Sequence, residues 1–587
     1  MAREHSSPLS VLHPIQWTAM LLVVCLGVIP FSLAISRLWY ITGTSPLFAI
    51  ASFPSHAMAI DALGFSLLEA LLSTILTIFI GLPIAMSLGR FEWRYLRLRR
   101  TLLFIPFVSP PIVAAVGFLA IFSPDGPFAL VGLDLRNETG LIGWLADQTG
   151  WAHPGHMLAL VLAHAWFNVS LMIRFVEPIV AQLNPAWEEQ LRLLPGGTTM
   201  KGRMRYFWAP LLGPAVLVAS VYTFLFSFTS FALVKWLAPS SHTLESLLAL
   251  HGDAAGIAGY RLEVNEAVLS IACVQMIIIL IMLILAGQIE SWYSRSISQY
   301  SEHGNRKRHG RPSALSSVII NLTIVCFMLP FFAILRSSFR YRRVVDGQAT
   351  YGWTLEGWRR AFAGDASTVT LFDALSNSLL YAFLTACVAI PLGYAVASGL
   401  ATLRSVGHRK LAAVLDSLCM LPLSLSAVMV GLGIVIGMLR FSPILFTFPL
   451  LPVLPHMMLV LPFVIRLLLP ALERIDSQFL EQAQLLQLSR VSTWWHSKGA
   501  FLKIPGTMAV SLCLAFSLGE FGASYLVMRV GSWNSLSILV DQVVGRPKFD
   551  PFVFPTAMAL ATVLMVTTFL ILSVNEQIRR RGKIHDA

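Results

Sequence analysis

Long uninterrupted apolar stretches, rather than amphipathic stripes, set the pattern of this chain. Runs of spanning length fall near 17–39, 63–88, 102–122, 157–180, 209–236 and 267–289. Six more fall near 314–335, 373–398, 411–438, 450–472, 505–528 and 552–574. A bilayer core takes about 20 consecutive apolar residues in a helix, so the pattern predicts an all-α polytopic membrane protein with about twelve transmembrane helices. Composition agrees: of 587 residues, 56% are hydrophobic and 12% charged, with mean hydropathy +0.72. A soluble domain carries about 25% charged residues. A soluble enzyme, a disordered chain and a disulfide-built secreted domain are therefore excluded. The six cysteines, Cys25, Cys273, Cys326, Cys387, Cys419 and Cys513, all lie in apolar runs without CxxC spacing, and read as small core residues. The first apolar run is long enough to span and is expected to remain as an anchor rather than be cleaved as a signal peptide.

The charges predict a direction. Net charge is +12 with pI ≈ 9.6. In a membrane chain, Lys and Arg gather in cytoplasmic loops, so no nucleic-acid partner is expected. Arg90, Arg94, Arg97, Arg99 and Arg100 follow the second run, and Arg306, Lys307, Arg308 and Arg311 follow the sixth. Arg404, Arg409 and Lys410 follow the eighth, and Arg579, Arg580, Arg581 and Lys583 fill the tail. With alternating spans all four clusters share one side, which puts both termini in the cytoplasm. The loop at 123–156 is acidic, with Asp125, Asp134, Glu138 and Asp147. Arg336, Arg340, Arg342 and Arg343 fall on the opposite side, in a loop long enough for the rule to weaken.

The chain also repeats itself. His164 to Arg174 parallels His456 to Arg466, with His and Arg ten residues apart in both. Fifteen residues after each Arg stand Glu189 and Glu481. Phe226 to Phe231 matches Phe516 to Phe521, and Ser66-Leu-Leu matches Ser378-Leu-Leu. An even number of spans returns each copy to the same orientation, which gives a parallel six-plus-six repeat. The expected units are 1–300, a basic cytoplasmic linker at 301–313, and 314–587, with a pathway where the copies meet.

After the fourth run of each copy comes a polar segment too patterned to be slack. Asn184 opens the first, through Trp187, Glu188, Glu189, Gln190, Leu191 and Gly197; Asp476 opens the second, through Glu481, Gln482, Ala483 and Gln487. Each begins with a capping residue, places Glu near the first turn and continues with Leu or Ala at helical spacing. A short amphipathic helix at the cytoplasmic face suits docking in a partner's groove. These segments resemble the EAA loop of binding-protein-dependent ABC importer permeases, which reads Glu-Ala-Ala, then Gly three residues later, then Leu-Pro. Glu481, Gln482 and Ala483 take the Glu-Ala-Ala places, with Gln487 at the Gly position and Ala500 at the Pro. In the first copy Gly197 and Pro210 keep the Gly-to-Pro spacing, while Glu189-Gln190-Leu191 starts two residues early. With Ser517-Leu-Gly-Glu-Phe-Gly-Ala523, Gly545-Arg-Pro547 and Ala557-Met-Ala559 added, nearly the whole chain resembles the fused thiamine and ferric-iron importer permeases. The resemblance implies two fused type 1 transmembrane domains, two cytoplasmic ATPase subunits and an extracytoplasmic binding protein. It also implies that ATP-Mg is used by those partners and that this chain binds no cofactor. The expected substrate order is thiamine, then ferric iron, then another small solute.

Glu520 and Glu69 lie in apolar runs, where a carboxylate must face the bundle interior or a cavity. Their counterparts are Ser230 and Tyr381, and pathway and packing roles both stay open for them. Pro106 to Pro111 and Pro422 to Ser426 interrupt helices at comparable places. Pro110, Pro111 and Pro422 therefore join Glu520, Ser230 and Glu69 as candidate pathway residues. His164 and His456 read as interfacial or core histidines, since no second His or carboxylate lies at ligand spacing. Arg174 and Arg466 are expected to snorkel. No G-x-x-x-x-G-K-[ST] and no catalytic triad occur, so the chain is expected to be neither an ATPase nor another enzyme. A secondary transporter built as a parallel repeat is the alternative, but it gives the duplicated Glu-headed segments no place.

Overall fold

The computed structural model describes residues 12–122, 126, 128, 133–150, 153–183, 185–194, 197–252, 255–256, 261–300, 310–345, 348–365, 369–439, 441–475, 489–528, 531–547 and 549–585. Among the described residues, ten helices are long and apolar enough to cross a membrane, and one further pair is sharply bent. In the first copy these are α1 (Pro14–Thr42), α2 (Ala57–Arg90), the bent pair α3 (Leu96–Val108) and α4 (Pro111–Ile121), and α5 (Pro154–Gln182). The short α6 (Pro185–Arg192) leads to α7 (Ala209–Phe228), α8 (Ala232–Leu237), α9 (Leu244–Gly252) and α10 (Leu262–Tyr300). The second copy opens with α11 (Ala314–Ser338), a hairpin, α12 (Glu356–Ala363) and α13 (Leu371–Ser405). It continues through α14 (Arg409–Cys419), α15 (Ala427–Leu432), α16 (Val453–Glu473), α17 (Ala500–Gly519), α18 (Gly522–Val527), α19 (Leu536–Val544) and α20 (Val553–His585).

The expected runs fall on helices, as an all-α membrane protein of about twelve helices requires, and four of them are interrupted within the run. The third run bends by 97° between α3 and α4, at Ser109 and Pro110. The ninth breaks into α14, a tight turn at Leu421–Ser424, α15 and a wider-wound stretch at Gly433–Leu439. The fifth and eleventh stop at Phe228 and Gly519 and restart as α8 and α18. Proline removes a helix N–H and crowds the preceding turn, which favours the breaks at Pro110 and Pro422, although Pro30 and Pro330 sit inside continuous α1 and α11. Side chains at the helix starts take up orphan N–H groups: Ser313 accepts from Ser316, Thr370 from Asp373 and Ser426 from Met429.

The contacts repeat with the sequence. In the first copy α2 runs beside α5 with Gly81 against Met172; in the second, α13 runs beside α16 with Gly393 against Val464. A Cβ on either glycine would lie 2.8 Å from Met172 Cβ or 2.6 Å from Val464 Cγ1. Ser66 Oγ accepts from the Leu244 amide at 3.1 Å, and Ser378 Oγ from the Leu536 amide at 2.8 Å.

The first helix of each copy packs into the other. Pro30 of α1 lies on Gly433 and Gly437 of the second copy, and Pro330 of α11 lies on Gly117 of the first. Trp166 of α5 donates from Nε1 to the Phe327 carbonyl of α11 at 3.0 Å and packs its ring against Phe331. The copies are thus fastened by reciprocal exchange as well as by their shared face.

The basic loop after α11 is a hairpin, Arg340–Val345 paired antiparallel with Gln348–Trp353. Glu356 follows it and accepts from Arg359 and Arg360 at 2.7 and 2.9 Å. Hydrogen bonds from Arg359 and then Arg360 hold its carboxyl down at about 2. The clamp is therefore present above the ordinary carboxylate range and is lost as pH falls toward 2.

Gly117→Ala and Gly437→Ala test the exchange. Their Cβ atoms would fall 2.9 Å from Pro330 Cβ and 2.3 Å from the Pro30 carbonyl oxygen. Each should cost about 1–3 kcal/mol, read as a lower melting temperature in detergent. Gly64→Ala, with nothing within 4 Å of the added atom, should melt as the wild type does. Unchanged melting in the first two variants would remove the exchange as a stabilising contact.

Candidate functional site

The restarted helices α8 and α18 meet where the copies face each other. Phe231 and Phe521, equivalent residues of the repeat, stack at 5.5 Å with planes 12° apart. Tyr525 joins them at 5.1 Å from Phe231. Lys235 stands at the position equivalent to Tyr525, and its Nζ lies 4.1 Å from the Tyr525 ring centre. The same ammonium donates to both oxygens of Asp541 in α19 at 2.7 Å, and Trp236 Nε1 adds a bond to Oδ1 at 2.9 Å. The carboxylate is nearly buried and the lysine one-quarter exposed. A paired charge at this depth joins the copies and carries a cation to the aromatic cluster.

Glu520 fills the break before α18. Its carboxylate accepts from the amides of Ala523 at 2.7 Å and Ser524 at 3.0 Å, and lies 3.3 Å from His456 Nε2. His456 also contacts Ser517 Oγ at 2.7 Å and Ser524 Oγ at 2.8 Å. Ser230, at the equivalent break, is half-buried. In the first copy the carboxylate comes from another helix: Glu69 of α2 meets His164 Nδ1 of α5 and accepts from Ser73 at 2.6 Å. The second copy has Tyr381 there instead, edge-on to His456 and donating to the Pro449 and Trp533 carbonyls.

Both histidines are buried in the core, and although no carboxylate lies at ligand spacing along the chain, a carboxylate stands beside each. In each case it is supplied across helices, where spacing along a single helix cannot reveal it. Pro110 and Pro111 pack on Gly519, beside Glu520, while Pro422 is buried against Gly27 of α1. Sequence reasoning missed Lys235, Asp541 and Glu245. Glu245 of α9 is fully buried, accepting from Gln275 of α10 and from the Val428 amide of the second copy at 3.1 Å. The available signal was a lone charge in an apolar run, as in Phe231-Ala-Leu-Val-Lys-Trp-Leu237. Arg174 and Arg466 are exposed near the far ends of their helices.

At the end of the molecule reached by α5, α6 forms as expected. Glu189 and Gln190 are exposed on it and Leu191 half-buried, and Leu193 and Leu194 beyond it are 84% and 57% exposed. Glu188 is within α6; its side chain is outside the described residues. Gly197 is buried in the following turn, where a Cβ would fall 1.8 Å from the Leu191 carbonyl oxygen. Only glycine fits there. Glu481, Gln482, Ala483 and Gln487 lie outside the described residues.

No protein-family model matches the chain. Among known proteins, it is 23% identical to the thiamine transport system permease ThiP of Brucella abortus over 542 residues, 90% of this chain and 89% of that one. It is 30% identical to PhnV of Salmonella typhimurium, named as a 2-aminoethylphosphonate transport system permease, over 264 residues. That match takes 44% of this chain and 92% of PhnV. The chain belongs to the ABC importer permeases. The molybdenum transport permease ModB of Mycobacterium tuberculosis, 26% identical over 193 residues, is a further relative. This permease is a multi-pass inner-membrane protein that works with ATPase and binding-protein partners; its relatives are transport subunits rather than enzymes.

Asp541→Ala would strand Lys235 in the permease interior. Stability should fall toward the lower end of about 3–5 kcal/mol, because the lysine keeps some exposure. Lys235→Met with Asp541→Leu should recover most of that loss in a thermal melt. A double variant no more stable than Asp541→Ala would show that the two charges are not coupled.

Proposed function

We propose that this permease imports thiamine, delivered by an extracytoplasmic binding protein and driven by two ATPase subunits in the cytoplasm. The observation that carries this is end-to-end similarity to ThiP, which covers 90% of the chain. PhnV is matched across 92% of its length by 44% of this chain, which supports two fused permease units, 1–300 and 314–587, joined by 301–313. Both termini lie in the cytoplasm in this arrangement, and α6 and the corresponding segment 476–489 are the sites where the ATPases dock. ATP-Mg belongs to the ATPases, and the permease itself holds no cofactor.

The pathway follows the face where the copies meet. Glu520, Ser230, Pro110 and Pro111 adjoin it, Pro422 flanks it, and Glu69 supports the first copy's histidine. ATPase closure draws on both docking segments and parts the stacked Phe231 and Phe521. Thiamine is an aromatic cation, and Phe231, Phe521 and Tyr525, once parted, offer ring faces that complement such a solute. Ferric iron ranks second, because the carboxylates on this face are engaged by Lys235, His456 and backbone amides.

The permease reconstituted with its ATPases and binding protein should hydrolyse ATP faster with thiamine than with ferric iron or no ligand. Stimulation by ferric iron alone would overturn the substrate. Glu189→Lys combined with Glu481→Lys should leave the complex hydrolysing ATP without uptake. Wild-type uptake in that variant would remove the docking role from these segments.

A further inference from the structure

The loop between α4 and α5 holds a cluster that none of the transport machinery uses. Leu133–Asp134 pairs with Thr139–Gly140 in a small hairpin, and its turn carries Glu138. Glu138 reaches the start of α5, where Oε1 accepts from the Gly155 amide at 2.9 Å and the His156 amide at 3.4 Å. Its Oε2 lies 2.7 Å from His153 Nδ1. His153 and His156, three residues apart on the first turn, stack at 4.9 Å with planes 17° apart. One donor atom from each of Glu138, His153 and His156 lies within 4.8 Å of the other two.

Helix capping and an ion pair account for Glu138 and one nitrogen of His153. They do not account for His156. That residue is 3% exposed, its Nε2 faces the Arg136 carbonyl at 3.3 Å, and its buried Nδ1 has no hydrogen-bond partner. An imidazole that donates through one nitrogen to a backbone carbonyl presents the other as a lone pair, as metal-ligating histidines do. An unpaired buried nitrogen is otherwise a cost without return. The backbone is constrained at the same place: Glu138 and His153 have φ of 55° and 60°, left-handed values that non-glycine residues rarely adopt. Such strain gathers where surrounding structure holds side chains for a task.

We propose that Glu138, His153 and His156 bind a divalent transition-metal ion, Zn2+ being the best match, which fastens the hairpin to the first turn of α5. Two imidazoles and a carboxylate are a recurrent zinc donor set that leaves a fourth position for water. A tetrahedral ion with bonds of about 2.1 Å needs donors roughly 3.4 Å apart, so binding would open the 2.7 Å Glu138–His153 contact and draw in the more distant donors, which lie within 4.8 Å. The glutamate–histidine contacts all lie within one loop and its helix, away from the face where the copies meet. The ion is therefore a resident of the permease and not its cargo.

The full-length permease, purified without a histidine tag and stripped with chelator, is dialysed against Zn2+ and assayed for bound metal. One ion per chain is expected, with affinity at least tenfold weaker in His156→Gln and in Glu138→Gln. Glu138→Gln keeps an oxygen able to cap α5, which separates ligation from capping. Zn2+ should also raise the melting temperature of the wild type, and not of either variant, and Co2+ substitution should give visible bands of tetrahedral ligation. Wild type that takes up no more Zn2+ than His156→Gln, or equal thermal stabilisation by Zn2+ in all three proteins, would overturn the site.

Discussion

A helix can break within a bilayer only where protein, rather than lipid, covers the backbone groups it frees. That constraint organises this permease. The bend at Ser109 and Pro110 is covered by Gly519, the break at Pro422 by Gly27, and the breaks at Ser230 and Glu520 by the stacked Phe231 and Phe521. Each of these covers comes from the opposite copy. Irregular backbone, the raw material of a pathway, is therefore concentrated where the two copies meet, and the exchanged helices α1 and α11 hold that meeting in place.

Within this symmetric frame the chemistry is not symmetric. Both copies bury a histidine at the same point, yet Glu69 reaches one from a neighbouring helix while Glu520 reaches the other from a broken one. Lys235 faces Tyr525 across the copies instead of a second lysine, and its carboxylate, Asp541, belongs to the second copy alone. Two like charges at such a contact would repel in a poor dielectric, whereas a charge, a ring and a counter-charge are all satisfied. Fusion of the two units in one chain permits this, since each copy can vary independently.

The ends of the molecule follow a different logic. At one end α6 leaves Glu189, Gln190 and two leucines open to solvent, with Gly197 forming a turn no larger residue could enter. At the other, a glutamate and two histidines tie a hairpin to the start of α5.

The sequence by itself determined the membrane class, the apolar runs that became helices, the matched segments of the repeat, the interruptions near Pro110 and Pro422, and α6. All of these are local, since apolar length, proline chemistry and capping act over a few neighbouring residues. It also singled out Glu520, Glu69 and the prolines, because a carboxylate or a proline in an apolar run is visible at once. Which groups meet was decided only by tertiary structure. Glu69 and His164 are 95 residues apart in sequence, Lys235 and Asp541 are 306 apart, and Pro30 finds Gly437 only because α1 crosses to the other copy. Periodicity gives the face of a helix, not the helix that will face it. Those pairings are fixed by packing and by the need of each buried charge for a partner.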